Sequence, residues 1–234
     1  QRVIGDKPEF EEFDFSKFGS VNEQSLTRIQ KQVAKNMARN WKAIPHVTQH
    51  DDIDVTDLET FRKEMEPTLG KLSAVAFIVK AVTIALKDFP KLNASLKNDG
   101  ETLVLKEYIH IGLAVNVKEG LSVPVIKNAD QKGLREVSHE IGRLADGARD
   151  GALSFQDFSG SSFTVSSLGK LGGTGFSPII NHPEVAILGV GRSSDRLMMS
   201  EGGVSNRKIL PLSLSYDHRV INGVYGGEFM ARIS

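Results

Sequence analysis

Apolar residues recur along the chain with more than one period, and each period predicts a type of element. A helical period over 26–41 predicts a first helix, which ends before Pro45. The residues that carry this period are Leu26, Ile29, Val33, Met37 and Trp41. We expect Trp41 to pack in the core.

The following segment changes from a strand pattern to two helical patterns. Residues 46–55 predict a strand, and Thr56 with Glu59 matches a capping box that starts a second helix, which ends at Pro67. Ser73 is predicted to cap a third helix with a wide apolar face. We expect that face to be core, and its residues are Val75, Ile78, Val79, Val82 and Leu86.

The rest of the chain is mainly strand in pattern. The Asn-Asp-Gly turn at 98–100 predicts a tight β-hairpin between 93–97 and 102–106, because glycine tolerates a positive φ angle. A fourth helix is predicted over 134–144, and a last helix after Asn222. Further strands are predicted over 109–117, 121–126, 162–167, 185–190 and 209–217.

These elements predict one mixed α/β domain over 20–234, preceded by an N-terminal arm over 1–19. Helical and strand runs are grouped rather than strictly alternating. This grouping disfavours a doubly wound nucleotide-binding fold and favours helices on one face of a mixed sheet.

Composition excludes several classes of partner and of chemistry. Among the 234 residues, 29 basic side chains balance 29 acidic ones, so we expect no nucleic acid and no anionic membrane as partner. The absence of cysteine excludes disulfides and a cysteine nucleophile. The apolar stretch 74–86 is shorter than the ~20 residues that span a bilayer, and it contains Lys80.

The stretch 213–223 contains the first candidate for chemistry. Its first residues alternate as in a half-buried strand, and His218 follows where that strand ends. A histidine has an ordinary pKa of about 6.5 and can act as a general base near neutral pH. On periodicity alone, a structural histidine at a strand end is the better interpretation. An ion pair of His218 with Asp217 is disfavoured, because neighbouring strand residues point to opposite faces.

A second candidate lies where the strand 162–167 runs into a glycine-rich loop. The loop lacks the Gly-Lys-Ser/Thr ending of a P-loop, so nucleotide binding is weakly supported. Ser166 could donate a hydrogen bond from the strand end, or it could simply bond to backbone. Ser167 points to the other face and serves as the comparison for Ser166.

A third stretch, His46 to His50, only superficially suggests a metal site. Two histidines four positions apart share one face on a helix, whereas the β-branched residues between them favour a strand. We expect no metal.

These stretches together resemble one family. The sequence His218-x-x-x-Asn222-Gly223, the Ser-Ser-Leu-Gly run at 166–169 and the strand 183–190 are similar to the dihydrolipoamide acyltransferases, the E2 components of 2-oxo acid dehydrogenase complexes. The resemblance extends over about 14–223 and favours the acetyl-transferring branch that serves pyruvate. It implies a chloramphenicol-acetyltransferase-like two-layer sandwich of the α/β class, with a mixed sheet, assembled as trimers.

The resemblance also implies an activity and roles for site residues. The family transfers an acyl group between dihydrolipoamide and coenzyme A. By resemblance, His218 is the general base, Ser166 donates to the oxyanion, and Asn222 orients the histidine loop through neutral hydrogen bonds. The serine and the histidine come from different subunits. The sequence identifies no coenzyme A contacts, and the family uses no metal.

Partners follow from the same resemblance. The lipoyl group is carried on a separate domain, and the E1 and E3 components bind through domains that are absent here. A trimer is expected. Whether trimers join into a larger cubic core stays open, because the chain stops at Ser234 before the full final helix of the family. The location would be the cytoplasm of a bacterium or the mitochondrial matrix of a eukaryote.

Three alternatives stay open. The chain could be mainly a structural core with impaired catalysis, since Asn116 replaces the usual aspartate of the family. It could serve another 2-oxo acid complex. It could also be a free-standing acetyltransferase of small molecules.

Overall fold

Five α-helices and ten strands form the part of the chain that the computed structural model describes, which is residues 12–70, 72–118, 120–169, 173–200 and 203–234. The helices are α1 (Arg28–Ala43), α2 (Thr56–Leu69), α3 (Ala74–Asp88), α4 (Leu134–Asp150) and α5 (Gly223–Ile233). The strands are β1 (His46–Asp54), β2 (Ala94–Leu96), β3 (Leu103–Leu105), β4 (Ile111–Val117), β5 (Gly120–Ser122), β6 (Val125–Ile126), β7 (Phe163–Ser167), β8 (Ala186–Val190), β9 (Ser194–Ser200) and β10 (Gly203–Asp217).

Eight of these strands form one mixed sheet. Its order is β1-β10-β8-β7-β4-β5, with β6 paired to β4 and β9 paired to β10. Strand β10 is antiparallel to both β1 and β8, whereas β7 is parallel to β8 and to β4. The remaining strands, β2 and β3, form the predicted hairpin around the Asn-Asp-Gly turn, where Gly100 has a φ of 73°. The predicted α/β class with a mixed sheet is confirmed.

One face of the sheet packs on helices and forms the core. Val165, Leu188 and Leu214 lie in one row across β7, β8 and β10, and all three are fully buried. The apolar face predicted for α3 packs against this row within the same cluster, together with residues of α4 and α5. Because side chains alternate along a strand, the neighbouring residues point to the opposite face.

The start and end of α2 differ from the prediction. Val55 is the N-cap and makes no side-chain capping bond, while the backbone N–H and the hydroxyl of Thr56 both donate to Asp54, so the predicted capping box is wrong. The helix also continues past Pro67 to Leu69. A proline in the last turn removes one donor without preventing the next two residues from staying helical.

Helix α1 contradicts the prediction that Trp41 is core. Trp41 is 62% exposed. Leu26, just before the helix, and Ile29, in its first turn, are each 52% exposed. Asn40 is the one residue of α1 that is buried. Val33 and Met37 are half-buried, so the described part of the chain covers the apolar face predicted over 26–41 only in part.

The hairpin of β9 and the first half of β10 was not predicted. Strand β10 begins at Gly203, six residues before the predicted strand over 209–217, and pairs with β9 from Gly203 to Ile209. Polar residues interrupt the alternation here, and Leu197, Met199 and Val204 are exposed, so no apolar face marks the strands.

The N-terminal arm lies partly outside the described residues, which begin at Glu12. From there a short 3₁₀ turn, Phe15–Phe18, follows. The ring of Phe13 contacts those of Phe15 and Phe18, and all three side chains are exposed. The boundary between arm and domain stays a prediction. Among the helices of the described residues, none is long and apolar enough to cross a membrane.

Candidate active site

Ser166 lies near the end of β7, on the sheet face opposite the helices. It pairs with Ala114 of β4 on one side and with Gly189 of β8 on the other. The residue is half-buried, and its hydroxyl has no hydrogen-bond partner among the described residues. Within the described ranges, the Ser166 hydroxyl therefore makes no bond to backbone and is available to donate.

Ser167 points to the other face, as the alternation predicts. Its hydroxyl accepts the N–H of Gly169 at 3.2 Å. It lines a cavity of about 360 Å³ on the helix side of the sheet, with the apolar residues Val55, Leu58, Val75, Ile78, Val190 and Leu210. The two neighbouring serines thus lie in different environments: Ser167 is bonded within its own turn, and Ser166 has no side-chain bond to any described residue.

His218 follows the last residue of β10, at the opposite end of the sheet. Its backbone N–H donates to the carbonyl of Pro45 at 3.0 Å. The imidazole is exposed and has no hydrogen-bond partner among the described residues; its ring centre lies 6.1 Å from that of Tyr216. An exposed, unpaired imidazole is free to accept a proton from a substrate thiol.

Asp217 does not pair with the neighbouring histidine. Its side chain is 3% exposed and makes a salt bridge to Arg219 at 2.7 Å. This agrees with the prediction that Asp217 and His218 point to opposite sides of the strand.

Asn222 caps the helix that follows the histidine turn. Its side-chain oxygen accepts the N–H of Tyr225 at 2.9 Å, which satisfies one of the free N–H groups at the start of α5. The bond is neutral, as predicted, and it fixes the end of the turn rather than contacting the imidazole.

Ser166 and His218 lie far apart within one chain. Ser166 is opposite Gly189, and Gly189 is opposite Ser213 of β10. Asp217 is four residues beyond Ser213, which corresponds to about 13 Å along the strand, and two strand spacings of about 4.8 Å each add to the separation. A single carbonyl group cannot contact both side chains in one chain. A site that uses both residues needs two copies.

The two histidines of β1 are occupied by structural contacts. His46 places Nδ1 at 2.8 Å from the Ile44 carbonyl, while its Nε2 accepts the Ile180 N–H at 3.0 Å. His50 places Nδ1 at 2.8 Å from the Ser213 hydroxyl. Within the described ranges, no group of three or more His, Asp or Glu side chains is arranged to hold a metal ion.

A buried carboxyl group beside β7 was not found from the sequence. Glu184 accepts the hydroxyl proton of Thr164 at 2.9 Å, and its Oε2 atom is buried with no hydrogen-bond partner. Burial raises the pKa of Glu184 to about 7, against the opposing hydrogen bonds. Nothing in the sequence around Glu184 indicates that this carboxyl group is buried.

Two arginine side chains lie near His182, beside the histidine turn. Burial lowers the pKa of His182, and the cations of Arg39 and Arg219 lower it further. These three residues come from α1, the segment before β8 and the turn after β10. The sequence places them far apart, so only the fold shows that they are neighbours.

Comparisons with known proteins agree with this geometry. Residues 18–234 match the family model of the 2-oxoacid dehydrogenases acyltransferase catalytic domain. The chain is 51% identical over 221 residues to the dihydrolipoyllysine-residue acetyltransferase component of the pyruvate dehydrogenase complex of Cupriavidus necator, covering 93% of this chain and 40% of that protein. The chain therefore spans about two fifths of the length of this relative.

Solved structures show the same domain. A structure of Azotobacter vinelandii dihydrolipoamide acetyltransferase, determined to study the roles of a serine, a histidine and an asparagine in its catalytic mechanism, is 43% identical, with a TM-score of 0.93 over 97% of this chain and 95% of that chain. A structure of the cubic core of the pyruvate dehydrogenase complex has the same identity, score and coverage. A chloramphenicol acetyltransferase, 15% identical, has a TM-score of 0.53 over 85% of this chain and 92% of that chain, which confirms the predicted fold class.

Proposed function

The chain belongs to the 2-oxoacid dehydrogenase acyltransferase family, and from this premise we propose that it transfers an acetyl group between dihydrolipoamide and coenzyme A. One observation carries the proposal to named residues. The serine and the histidine studied in the Azotobacter vinelandii enzyme are 52 positions apart, and its asparagine follows the histidine by four. Ser166, His218 and Asn222 have the same separations.

The proposed reaction uses two side chains in contact with the reacting atoms. His218 takes the proton from the thiol of coenzyme A, and the thiolate sulfur attacks the carbonyl carbon of the acetyl-dihydrolipoamide thioester. The Ser166 hydroxyl donates to the oxyanion of the tetrahedral intermediate. The intermediate collapses, the bond to the lipoyl sulfur breaks, and protonated His218 returns its proton to that sulfur.

The site chemistry matches what a thioester exchange requires. A thiol has an ordinary pKa near 8.5, so a base increases the thiolate available near neutral pH and contributes roughly 10²- to 10⁴-fold in rate. The chain contains no cysteine, so both reacting thiols belong to the substrates. Among the described residues, neither the Ser166 hydroxyl nor the His218 imidazole has a hydrogen-bond partner, so neither must break a bond to that part of the chain to act.

We propose that the working unit is a trimer in which each site lies between two subunits. The separation of Ser166 and His218 within one chain supports this arrangement. Uncovered apolar side chains support it as well, because Trp41 and Ile29 of α1 and the phenylalanine cluster of the arm need a partner surface to leave water. The cubic core of a relative suggests that trimers assemble further, and the lipoyl domain would enter as a substrate carried on a separate domain.

Mixed assemblies test the shared site. His218→Ala and Ser166→Ala are each expected to be nearly inactive in acetyl transfer from acetyl coenzyme A to dihydrolipoamide. If chains of the two variants are co-expressed in equal amounts, about one quarter of the sites combine an intact histidine with an intact serine, and that fraction of the wild-type rate should return. A mixture that light scattering shows to be assembled, and that recovers no activity, would contradict a site between subunits.

The same assay separates the open alternatives. Wild-type trimers that assemble and transfer no acetyl group would indicate a structural core. Faster transfer of a succinyl or branched acyl group than of acetyl would assign the chain to another 2-oxo acid complex, and acetylation of chloramphenicol would indicate an acetyltransferase of small molecules.

A further inference from the structure

The residues on both sides of His218 are joined by an ion pair that spans the histidine. We infer that Asp217 and Arg219 act as positioning residues for His218, so that acetyl transfer depends on a salt bridge that never contacts the substrate. The inference rests on the proposed function, since it assigns a role to the neighbours of the proposed base.

The salt bridge between Asp217 and Arg219 is bidentate. Arg219 Nε lies 2.9 Å from Oδ1 of Asp217, and its Nη2 lies 2.7 Å from Oδ2. The backbone N–H of Arg219 donates to the same Oδ1 at 3.0 Å. A guanidinium group that meets both carboxylate oxygens has a fixed direction as well as a favourable energy. The Asp217 side chain is 3% exposed and the Arg219 side chain 46% exposed, so the buried carboxylate holds a partly exposed guanidinium group.

Asp217 also organises the backbone of the turn. Its own N–H donates to Val185 of the segment before β8, while its carbonyl accepts the N–H groups of Val220 and Ile221. Asp217 therefore connects the sheet, the guanidinium group of Arg219 and the backbone N–H groups of Val220 and Ile221. His218 is the residue enclosed by these bonds, and its own N–H donates to Pro45.

The His218 imidazole makes no hydrogen bond to any of the described residues. Other histidines of the described chain show the contrast, because His46 uses both ring nitrogens in hydrogen bonds and His50 uses one. The direction of the His218 ring consequently depends on the backbone that carries it. Asn222 fixes the end of the turn, and the Asp217–Arg219 pair fixes the backbone on both sides of the base.

A positioning role predicts a specific kinetic defect. Misplacing a catalytic group by about 1 Å can cost about 100-fold in rate, while the binding of the ground-state substrate is unaffected. Loss of the pair should therefore lower kcat about 10- to 100-fold, with KM for coenzyme A within about twofold of the wild type.

Four variants of the full chain test this inference. Arg219→Gln removes the positive charge, and Asp217→Asn removes the negative charge. Arg219→Lys keeps the positive charge but cannot form the bidentate contact. Arg232→Gln is the matched control, because Arg232 makes an exposed pair with Asp88 at 2.9 Å on α5 and α3, with both side chains 52% exposed. Each variant is assayed as the assembled protein, with light scattering and a thermal melt measured on the same sample.

The expected order of kcat is wild type and Arg232→Gln first, Arg219→Lys intermediate, and Arg219→Gln and Asp217→Asn lowest, at unchanged KM. If Asp217→Asn fails to fold because it changes a buried group, the partly exposed Arg219 variants carry the test. Values of kcat within twofold of the wild type for both Arg219 variants would overturn the inference, as would a loss fully explained by a smaller assembled fraction. If wild type transfers no acetyl group at all, the proposed function fails instead.

Discussion

The two faces of the main sheet use the same strands for different purposes. On the helix side, the row Val165, Leu188, Leu214 is fully buried and apolar. One residue further along β7 and β8, and one residue back on β10, the row on the opposite face is Ser166, Gly189 and Ser213. A shift of one residue thus exchanges an apolar row for one with two hydroxyl groups, on Ser166 and Ser213, that can form hydrogen bonds.

The polar face shows which of its groups is kept free. Thr48 bonds to Ser215 at 2.8 Å, and His50 bonds to Ser213 at the same distance. These cross-strand bonds satisfy polar groups that would otherwise be costly to bury. Ser166 lies on the same face, and no described residue forms such a bond with its hydroxyl, which distinguishes it from the residues that complete the structure.

The largest effect should follow from removing the proposed base. His218→Ala is expected to lower acetyl transfer by about 10³-fold, because a methyl group cannot accept the thiol proton as the proposed base does. His50→Ala is the control, since His50 lies on the polar face but is bonded to Ser213. Steady-state rates of both variants decide the matter, and near-normal turnover of His218→Ala would refute the role.

The next effect compares two adjacent serines on opposite faces. Ser166→Ala should lower kcat by about 10²- to 10³-fold, the usual consequence of losing one oxyanion donor, with little change in KM. Ser167→Ala removes the same atom from the helix side and should leave kcat within about threefold of the wild type. Equal losses of kcat in both variants would contradict a specific role for the serine on the face opposite the helices.

A third test concerns stability rather than turnover. Leu188→Ala creates a cavity in the fully buried row and should lower the free energy of unfolding by about 3 kcal/mol. Thr48→Val, which removes one hydroxyl of a bonded pair on the opposite face, should cost about 1 kcal/mol. Urea unfolding at one fixed protein concentration measures both, and the reverse order would contradict the assignment of the core to the helix side.

A fourth test concerns a pH dependence of stability that originates at Glu184. Its pKa in the folded protein is about 7, raised from 4.5 by burial, so the folded state retains a proton that the unfolded chain releases. This contribution is fully present below about pH 4.5 and is lost as the pH rises through about 7. Between pH 5 and pH 8 the wild type should lose about 2 kcal/mol of unfolding free energy.

Glu184→Gln removes the titration and tests that assignment. The amide is neutral at every pH, so the variant should show a flatter dependence of unfolding free energy on pH. Urea unfolding at several pH values compares the two proteins. Parallel curves would show that Glu184 releases its proton at its ordinary pKa in the folded protein.

Local patterns predicted several elements well because their causes are local. The Asn-Asp-Gly hairpin depends on a turn that needs glycine at Gly100, and α4 depends on a regular apolar period. The candidate residues Ser166, His218 and Asn222 were found through resemblance, and their roles stay predictions. Trp41 was misassigned because a helical period identifies an apolar face without saying what covers it.

The sequence by itself determined the class of fold, the alternation that separates Ser166 from Ser167, and the position of His218 at the end of a strand. These properties depend on bond geometry within a few residues, where period and turn chemistry are sufficient. Tertiary structure alone decided that β8 lies between the serine and histidine strands, that Glu184 is buried, and that Asp217 pairs with Arg219. Strand order and side-chain burial arise from contacts between distant segments, and only those contacts show that a single chain keeps its two candidate groups apart.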